Sequence, residues 1–134
     1  MKTKIDPKLK EKLLFNIVVP VFNAEKYIEK CLNSIVKQSY KRFQVQVVDD
    51  CSSDSSYEIA SSICQAKKNF KIFRNNRRIG ALHNIFNLLN TKIKEPSKTI
   101  DLIIDGDDYL YSSDVLNIVE EKYMQTNCLI TYGS

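Results

Sequence analysis

The sequence lacks several residues on which common catalytic and binding sites depend. It contains no tryptophan, one histidine and three glycines in 134 residues. Because its glycines stand only at Gly80, Gly106 and Gly133, it cannot carry a G-x-G-x-x-G dinucleotide fingerprint or a P-loop. The single histidine, His83, offers no Ser-His-Asp triad or metal–histidine cluster to assemble, and we expect it on a helix surface or beside a crevice.

Long apolar runs are absent as well. No run approaches the roughly 20 residues of a membrane-spanning helix, so we predict no transmembrane segment. Residues 1–15 form a lysine-rich leader whose charges are too close together for a signal peptide, with a short helix predicted after Pro7. The four cysteines lack metal-ligand spacing, and Cys31, Cys64 and Cys128 are expected in the core. We therefore expect a cytoplasmic protein and leave open a peripheral association with a membrane.

The remaining composition and pattern are typical of one soluble α/β domain. The chain is 43% hydrophobic and 27% charged, and its net charge of +4 is compatible with anionic ligands. Apolar, β-branched segments predict five strands, at residues 16–22, 43–50, 70–73, 99–105 and 128–132. Amphipathic segments predict four helices, at residues 24–36, 55–66, 79–93 and 112–123. This alternation predicts a mostly parallel open sheet with helices on both faces.

The sequence also predicts how individual helices begin and pack. Asn23 is expected to cap the first helix, and Ser55 with Glu58 matches a capping box at the start of the second. Helical spacing predicts one core-facing stripe on the third helix: Ile79, Leu82, Phe86, Leu89 and Ile93. Phe70 and Phe73 in the third strand are expected to be core residues.

Polar side chains gather where three of the predicted strands end. They are Asn23 with Pro20 at the end of the first strand, Asp49 and Asp50 at the end of the second, and Asp105, Asp107 and Asp108 at the end of the fourth. We expect them to share one crevice, because ligands of open α/β sheets bind beyond the carboxyl ends of the strands. Clustered carboxylates raise one another's pKa unless a cation shares the site, and Mg²⁺ and Mn²⁺ prefer oxygen ligands. We therefore predict a divalent ion with a phosphorylated ligand at the D-G-D-D segment, where Gly106 allows a tight turn.

The two carboxylates of the second strand have different expected roles. Asp50 can accept a hydrogen bond from the N–H of a base such as uracil. Asp49 and Asp50 are also placed to cap the loop and the helix that follow them. The sequence leaves both interpretations open.

Four segments resemble, in order, the motifs of the family 2 glycosyltransferases of the GT-A fold. Residues 16–40, NIVVPVFNAEKYIEKCLNSIVKQSY, resemble the family's P-x-Y-N, helix and Q-[ST]-Y opening. Residues 47–56, VVDDCSSDSS, resemble V-D-D-G-S-x-D-x-S, and residues 74–84, RNNRRIGALHN, resemble N-x-G-x-x-x-A-R-N. Residues 103–108, IIDGDD, contain a D-x-D signature. The resemblance covers roughly residues 16–134, which we expect to form one GT-A nucleotide-sugar-binding domain.

The resemblance implies a site and a reaction. It implies nucleotide-sugar-binding residues at seven positions: Pro20, Phe22, Asn23, Asp50, Arg78, Asp105 and Gly106. It implies that the D-x-D pair, Asp105 and Asp107, holds Mn²⁺ or Mg²⁺ on the donor diphosphate, with Asp108 left open as a further or more direct ligand. The implied reaction is an inverting, metal-dependent displacement at the anomeric carbon, which moves sugar from a nucleotide-sugar, most simply a UDP-sugar, to a glycan or lipid-linked acceptor in polysaccharide biosynthesis.

Three positions depart from the family pattern. Phe22 replaces the usual tyrosine and loses a hydroxyl near the base. Cys51 replaces the usual glycine, so we expect this loop to avoid a positive φ angle. His83 replaces the usual arginine of the third motif, and Arg77 or Arg78 could take over its contact.

Members of this family usually continue past the D-x-D into an acceptor half with a carboxylate base, which residues after Tyr132 do not supply. We therefore expect this chain to bind a nucleoside diphosphate with metal more readily than it transfers sugar. The alternatives are a catalytically inert nucleotide-binding fragment or interaction module, and a phosphatase, whose D-x-D would follow the first strand. One basic patch could bind a nucleic acid, and it consists of Lys67, Lys68, Arg74, Arg77 and Arg78. Because this patch lacks free aromatic side chains for stacking, we expect no nucleic-acid partner.

Overall fold

Strands and helices alternate along the chain, as the sequence predicts. A computed structural model describes residues 13–91, 99–126 and 130–132. The elements are β1 (Leu14–Val21), α1 (Ile28–Val36), β2 (Phe43–Asp49), α2 (Ser56–Gln65), β3 (Phe70–Arg74), α3 (Ala81–Leu89), β4 (Thr99–Ile103) and α4 (Val115–Gln125). The strand pairs are all parallel, and the sheet order is β3-β2-β1-β4. The predicted α/β class with a parallel open sheet is confirmed.

One predicted strand does not appear in this sheet. Residues 130–132 belong to no strand, so the predicted fifth strand is wrong over that stretch, and residues 128–129 lie outside the described residues. The helix predicted after Pro7 and the predicted core position of Cys128 also lie outside them.

β1 occupies the centre of the sheet because its apolar residues can be buried on both faces. Every residue from Phe15 to Val21 is buried. Alternate residues of β1 pack on one side against α1, α2 and α4 in the main core, which includes Phe15, Ile17, Val19, Ile28, Leu32, Ala60 and Leu116. Cys31 and Cys64 are buried in the same core, as predicted. Three helices therefore cover one face of the sheet.

The opposite face carries α3, and the predicted core-facing stripe of this helix is wrong at Leu82 and Phe86 but correct at Leu89, which is partly buried against the cluster of Val18, Val48 and Leu88. Ile93 of the predicted stripe lies outside the described residues. Asn84 and Leu88 are the buried residues of α3, and Leu88 packs against Val18 of β1. Leu82 and Phe86, which we expected inside, are 78% and 65% exposed. Asn84 turns inward because its side-chain oxygen accepts a hydrogen bond beneath the helix, as described below. The packed face of α3 therefore comprises Asn84, Ile85, Leu88 and Leu89, so that apolar packing and the polar contact of Asn84 both orient the helix.

The edge strand β3 buries only one of its two phenylalanines. Phe70 is buried in the main core and meets Phe43 edge-to-face, with ring centroids 6.3 Å apart. Phe73 is 43% exposed, so its predicted core position is wrong. Because side chains alternate along a strand, Phe73 points to the sheet face that α3 covers only in part.

A polar cluster crosses the sheet on the α3 side, near the amino ends of the strands. Asn16 is fully buried in β1. Its amide nitrogen donates to Asp101 Oδ1 of β4 at 2.8 Å. Its carbonyl oxygen accepts hydrogen bonds from Gln44 and Gln46 of β2 at 3.1 and 2.9 Å. All three strands are thus joined by side chains as well as by backbone, and the buried amide of Asn16 is satisfied.

The predicted helix caps are not formed. α1 begins at Ile28 with Tyr27 before it, and Asn23 lies in the preceding loop with a φ of 48°. Asparagine tolerates this left-handed conformation better than most residues, because its short side chain bonds to nearby backbone. Ser55 precedes α2 but makes no capping hydrogen bond with its side chain. Instead, the carboxylate of Asp54 accepts a hydrogen bond from Ser56 N–H at 2.9 Å.

The loop after β2 keeps the positive φ angle that glycine would favour. Cys51 has a φ of 63°, so the expectation that cysteine would force another conformation is wrong. The backbone is held by its surroundings on both sides, since Asp50 N–H donates to Val21 O and Ser52 N–H donates to Asp49 Oδ2. A side chain with a Cβ atom in this conformation costs roughly 1–2 kcal/mol.

Replacing Cys51 with glycine is therefore expected to stabilise the fold. The relief of strain is partly offset by the greater freedom of glycine in the unfolded chain, which leaves a net gain of about 0.5–1 kcal/mol. Urea unfolding would measure this gain. Cys51→Ala is the matched control, because it removes the thiol but keeps the Cβ atom. Equal stability of the glycine and alanine variants would contradict the prediction.

Candidate functional site

A cleft opens where the carboxyl ends of the strands meet. Its volume is ≈ 330 Å³, which lies at the lower end of the range for small-molecule sites. Eight of the predicted site residues line it: Pro20 near the end of β1, Phe22 and Asn23 after β1, Asp50 and Arg78 from the loops after β2 and β3, and Asp105, Gly106 and Asp107 after β4. The ends of β2 and β4 are tied to β1, because Asp50 N–H donates to Val21 O and Gly106 N–H donates to Pro20 O. The sheet itself therefore brings these residues together.

Asp50 is the most strongly bonded carboxylate of the cleft. It is 3% exposed. Its Oδ1 accepts hydrogen bonds from Ile79 N–H and from the side-chain amide of Asn75, both at 2.9 Å. Its Oδ2 accepts one from Gly80 N–H at 2.8 Å. Asp50 thus holds the loop that carries Arg78 and leads into α3.

These bonds determine the charge state of Asp50. Burial alone would raise its pKa, but the bonds from Ile79, Asn75 and Gly80 favour the carboxylate and lower the pKa to about 2. The group is therefore negative at neutral pH. Because a carboxylate oxygen has two lone pairs, Oδ2 keeps one acceptor position beyond its bond to Gly80.

Two asparagines complete this corner, and neither was among the predicted site residues. Asn75 donates one side-chain hydrogen to Asp50 and the other to Asn84 Oδ1, at 2.7 Å. Asn84 lines the cleft and is 2% exposed. Its own amide nitrogen is close enough to Asp50 to lower the pKa of that carboxyl, although the geometry is not that of a hydrogen bond. Both residues stand in the third motif, so the motif carried the signal that would have identified them.

Arg78 and Phe22 form one wall of the cleft. The guanidinium carbon of Arg78 lies 3.8 Å from the centre of the Phe22 ring, within cation–π range. His83, in contrast, is exposed on α3. Of the two arginines suggested as replacements for the missing arginine of the third motif, Arg78 is the one that lines the cleft.

Asn23 connects the loops that follow β1 and β2. Its side-chain oxygen accepts a hydrogen bond from Ser53 N–H at 2.9 Å, and its own N–H donates to Ser52 Oγ at 3.0 Å. The next residue, Ala24, donates its N–H to the buried Ser56 Oγ at 2.7 Å. These contacts explain why a polar residue with positive φ stands at the mouth of the cleft.

Asp49 points away from the cleft and has a structural role. It is fully buried, and its Oδ2 accepts a hydrogen bond from Ser52 N–H and lies 3.4 Å from Arg74 Nε. Arg74 also donates to Ser52 O at 3.1 Å. Of the two interpretations left open for Asp49, this geometry favours the capping of the loop.

Three carboxylates gather at the end of β4. One oxygen from each of Asp105, Asp107 and Asp108 lies within 4.8 Å of the others, and all three residues are exposed. Opposite ligands of a Mg²⁺ ion are about 4 Å apart, so small side-chain rotations suffice to place these oxygens around one ion. Asp105 and Asp107 line the cleft, whereas Asp108 lies beside it.

The electrostatics of this cluster also fit a cation. Partial burial, followed by repulsion from Asp107 and Asp108, raises the pKa of Asp105 above its ordinary value. A divalent ion would reverse this repulsion, and oxygen-only ligands suit Mg²⁺, Mn²⁺ or Ca²⁺. The cluster therefore meets the chemical requirements of a site for a hard divalent cation.

Cys31 lies directly beneath the cluster but takes no part in its chemistry. Its thiol donates to Asp105 O at 3.6 Å. Burial, followed by the charges of Asp108, Asp107 and Asp105, raises the pKa of the Cys31 thiol to about 12. The thiol stays neutral at physiological pH and is therefore not a nucleophile.

Gly106 lies in the predicted tight turn, in which Asp108 N–H donates to Asp105 O at 2.9 Å, but glycine is needed there for space rather than for its φ angle. Its φ is not positive, unlike that of Gly80 at 93°. A Cβ atom on Gly106 would lie 3.1 Å from Val21 Cγ2 and 3.2 Å from Pro20 O. The close approach of this turn to the end of β1 brings the carboxylate cluster to the cleft.

The helices of the described part of the chain are short. None of them within residues 13–91, 99–126 and 130–132 has both the length and the apolarity that crossing a bilayer requires.

Comparison with solved structures supports the same fold. The structure of residues 1–349 of TarS from Staphylococcus aureus matches with a TM-score of 0.72 and 30% identity, over 84% of this chain and 33% of that one. The same residues of TarS solved with UDP-GlcNAc match with a TM-score of 0.69 over 84% of this chain and 32% of that one. A mannosyltransferase from Pyrobaculum calidifontis, solved with GDP-Man and Mn²⁺, matches with a TM-score of 0.71 over 83% of this chain and 32% of that one, at 24% identity, which supports the fold alone.

Curated sequences give a consistent result. The poly(ribitol-phosphate) β-N-acetylglucosaminyltransferase TarS of Staphylococcus aureus is 35% identical over 98 residues, which cover 72% of this chain and 16% of TarS. The uncharacterized glycosyltransferase EpsJ of Bacillus subtilis is 33% identical over 81% of this chain and 30% of its own length. This chain thus spans less than a third of either relative. The sequence model of glycosyl transferase family 2 matches residues 16–131, and the chain belongs to that family, with a GT-A fold.

Proposed function

We propose that this chain binds the nucleotide-sugar donor of a glycosyl transfer reaction. The convergence of Asp50, Arg78 and the D-x-D pair on one cleft carries the proposal, because these groups suit the base and the diphosphate of such a donor. The base needs a hydrogen-bond acceptor and an apolar wall, and the diphosphate needs cationic partners. A solved relative, TarS, has been crystallised with UDP-GlcNAc and with UDP, so a uridine donor is the first to test.

Each side chain has a role in this proposal. Asp50 accepts the N–H of the base through the free acceptor position of Oδ2, while its other bonds keep the loop after β3 in place. Phe22 offers an apolar surface, and Arg78, stacked on it, presents a fixed positive charge. Pro20, Asn23 and Gly106 form the floor and rim between these groups.

Asp105 and Asp107 would hold a divalent cation, Mn²⁺ or Mg²⁺, against the diphosphate, with Asp108 beside them. Such an ion, when bound, neutralises the negative charge that develops on the departing nucleoside diphosphate. The reaction proposed for the whole protein is a single displacement. The acceptor hydroxyl oxygen bonds to the anomeric carbon, the electron pair of the broken carbon–oxygen bond leaves with the nucleoside diphosphate, and a base takes the hydroxyl proton. This displacement inverts the anomeric configuration.

Titration calorimetry with UDP in the presence of Mn²⁺ and in the presence of EDTA tests the proposal. We expect binding with Mn²⁺ to be at least about tenfold tighter than without it, because the cluster gains its counter-ion only with metal. GDP and CDP are the comparison nucleotides. Absence of binding for all three nucleotides with Mn²⁺ would contradict the proposal.

The alternative of a catalytically inert nucleotide-binding module predicts the same binding. Release of UDP from UDP-GlcNAc separates a transferase from an inert module, because only a transferase breaks the bond between the anomeric carbon and the diphosphate oxygen. Transfer to an acceptor and water-dependent release are both read as UDP formed above a protein-free control.

A further inference from the structure

A pair of apolar side chains projects from the outer side of α3. Leu82 and Phe86 are 78% and 65% exposed. They are four residues apart, so they are neighbours on the helix surface. Each lies two residues from a buried residue of the helix, Asn84 or Leu88, which corresponds to about 200° around the helix axis. Both side chains therefore point away from the sheet, and we call them the α3 ridge.

The helix covers only part of the sheet face on which it lies, which we call the α3 face. Phe73 of β3 and Ile103 of β4 point to this face, because they alternate with Ile72 and Leu102, which pack against the main core. They are 43% and 48% exposed. Their strands are the two edges of the sheet. The α3 face thus exposes apolar side chains on its helix and at both of its edges.

The same part of the chain carries positive charge and no negative charge. Residues 59–94 contain no aspartate or glutamate, although the whole chain has 16 acidic residues. This segment includes β3, the loop that follows it and all of α3. Its basic residues are Lys67, Lys68, Lys71, Arg74, Arg77, Arg78, Lys92 and Lys94. The apolar ridge therefore lies in the most basic stretch of the chain that is free of carboxylates.

Two of these basic residues are placed to act together with the ridge. Lys71 is exposed in β3 and shares the α3 face with Phe73, two residues further along the strand. Arg77 is exposed in the loop that leads into α3. Among the residues that the structure describes, neither takes part in an ion pair. Their charges are therefore available to an anionic partner.

One carboxylate opposes this charge on the α3 face. Asp101 of β4 is exposed and accepts a hydrogen bond from the Asn16 amide. The carboxylates of the donor cleft lie elsewhere, beyond the ends of the strands. Against the charge of Asp101 stand those of Lys71, Arg77 and Arg78, so the balance remains positive.

From this combination we infer that the α3 face docks on an anionic membrane surface. Leu82 and Phe86 enter the boundary between headgroups and acyl chains, while Lys71 and Arg77 meet the lipid phosphates. Apolar side chains beside basic ones are the features by which proteins bind anionic membranes from one side. The inference is independent of the proposed donor site, because it concerns another surface of the molecule.

The α3 ridge begins beside the donor cleft. Arg78 in the preceding loop and Ala81, the first residue of α3, line that cleft. Leu82 is the next residue along the chain. Docking of the ridge would therefore hold the mouth of the cleft close to the lipid headgroups.

Two other partners fit this surface less well. A second copy of the chain would set two positively charged faces against each other, and like charges across an interface are unfavourable. A single-stranded nucleic acid needs a basic groove with stacking aromatic side chains, whereas the ridge is convex and Leu82 is aliphatic. A membrane surface accepts a convex ridge and supplies both an apolar layer and negative charge.

Sedimentation with vesicles tests this inference on the 134-residue chain. The vesicles contain either equal parts of phosphatidylglycerol and phosphatidylcholine or phosphatidylcholine alone. We expect clearly tighter binding to the anionic vesicles, which weakens as salt is raised. Absence of binding, or equal binding to both kinds of vesicle, would overturn the inference.

Two double variants separate the contributions of charge and apolar surface. Lys71→Gln with Arg77→Gln should weaken binding to the anionic vesicles about tenfold or more, since each basic residue near such a surface contributes about fivefold. Leu82→Gln with Phe86→Gln should also weaken it about tenfold or more, because insertion would bury both side chains. Glutamine favours helix, and both side chains are largely exposed, so the fold should be retained.

Matched controls remove the same charge or apolar surface from the opposite side of the sheet. Lys26→Gln with Lys37→Gln changes residues that flank α1. Tyr111→Gln with Ile118→Gln removes two side chains that are 77% and 49% exposed. We expect each control to change vesicle binding less than about twofold. Equal losses in the controls and in the α3-face variants would refute docking through α3.

A fluorescent reporter separates insertion from adsorption by charge alone. The chain contains no tryptophan, so Phe86→Trp places a single indole on the ridge. Its emission should shift to the blue with anionic vesicles, whereas that of Tyr111→Trp should not. The reverse pattern, or no shift in either variant, would contradict insertion of the ridge.

The remaining measurements address the other partners. Tighter binding of oligothymidylate than of vesicles, lost in the Lys71/Arg77 variant, would overturn the inference in favour of a nucleic acid. A dimer seen by light scattering and abolished in the Leu82/Phe86 variant would overturn it in favour of a second copy. UDP with Mn²⁺ is titrated into the same variants, and its binding should not change, because none of the four substituted residues lines the cleft. Membrane docking and donor binding are thus tested separately.

Discussion

Replacing Asp50 with asparagine is expected to lower the free energy of unfolding by on the order of 3 kcal/mol at neutral pH. Asparagine keeps the shape of the side chain but replaces one acceptor oxygen with an NH₂ group. That group would take the place either of Oδ1, which accepts from Ile79 N–H and the Asn75 amide, or of Oδ2, which accepts from Gly80 N–H. At least one buried donor would lose its partner, and the negative charge that strengthens the other bonds would be lost.

The same variant is expected to change how stability depends on pH. The pKa of Asp50 is about 2 in the folded chain, against an ordinary value of 3.8, because its hydrogen bonds outweigh the effect of burial. A lowered carboxylate pKa contributes stability that is present above the ordinary value and is lost as pH falls through about 2. A shift of this size corresponds to on the order of 2 kcal/mol.

Urea unfolding at pH 7 and near pH 2.5 would measure both effects. The unchanged chain should lose more stability on acidification than Asp50→Asn does. Asp101→Asn is the control, because Asp101 is exposed and accepts one bond, which an asparagine oxygen can replace. If Asp50→Asn unfolded with the same stability and pH dependence as the unchanged chain, the role assigned to Asp50 would be wrong.

Replacing Asp107 with asparagine is expected to weaken Mn²⁺-dependent binding of UDP by on the order of 100-fold or more. Loss of a residue that only supports a metal ligand typically reduces affinity 10–100-fold, and loss of a direct ligand should do at least as much. Stability without metal should not fall, because the change relieves the repulsion among Asp105, Asp107 and Asp108. Weaker binding with unchanged or greater stability cannot be explained by misfolding.

Asp108→Asn provides the comparison within the cluster. Asp108 does not line the cleft. We therefore expect the fold-loss of UDP affinity in Asp108→Asn to be less than about a tenth of the fold-loss in Asp107→Asn. Calorimetry with UDP and Mn²⁺, together with thermal unfolding in EDTA, would measure both variants. Retention of Mn²⁺-dependent UDP binding in Asp107→Asn would refute the assignment of this residue as a metal ligand.

The sequence was sufficient to predict the four strands of the described sheet and eight of the residues that line the cleft. Parallel strands place their carboxyl ends at one edge of the sheet. Polar residues that follow these strands therefore lie close together, irrespective of the conformation of the connecting loops. This explains why Phe22, Asp50, Arg78 and Asp105 all line the cleft although they are far apart in the chain. The prediction depended on topology, which local errors of one or two residues do not change.

The errors occurred where a polar contact at a distance overrides a local preference. The apolar stripe of α3 suggested that Leu82 faces inward, but Asn84, bonded to Asn75, and Leu88 face the sheet instead. Cysteine disfavours positive φ, but bonds on both sides of Cys51 impose it. Asn23 could have capped α1, but its side chain bonds to Ser53 instead. The partners of Asn84 and Asn23 lie 9 and 30 residues away in the sequence, so no local pattern reveals them.

The buried amide of Asn16 also discriminates against a misaligned sheet. If β4 shifted by one residue along β1, every β4 side chain would change faces, and Leu102 would replace Asp101 beside Asn16. The amide would then lose its acceptor in a dry environment, at a cost of about 1–3 kcal/mol. The carboxylates beyond β4 would also move by roughly 3 Å, the rise of one strand residue. A contact at the far end of the sheet thereby selects the alignment in which Asp105 and Asp107 reach the cleft.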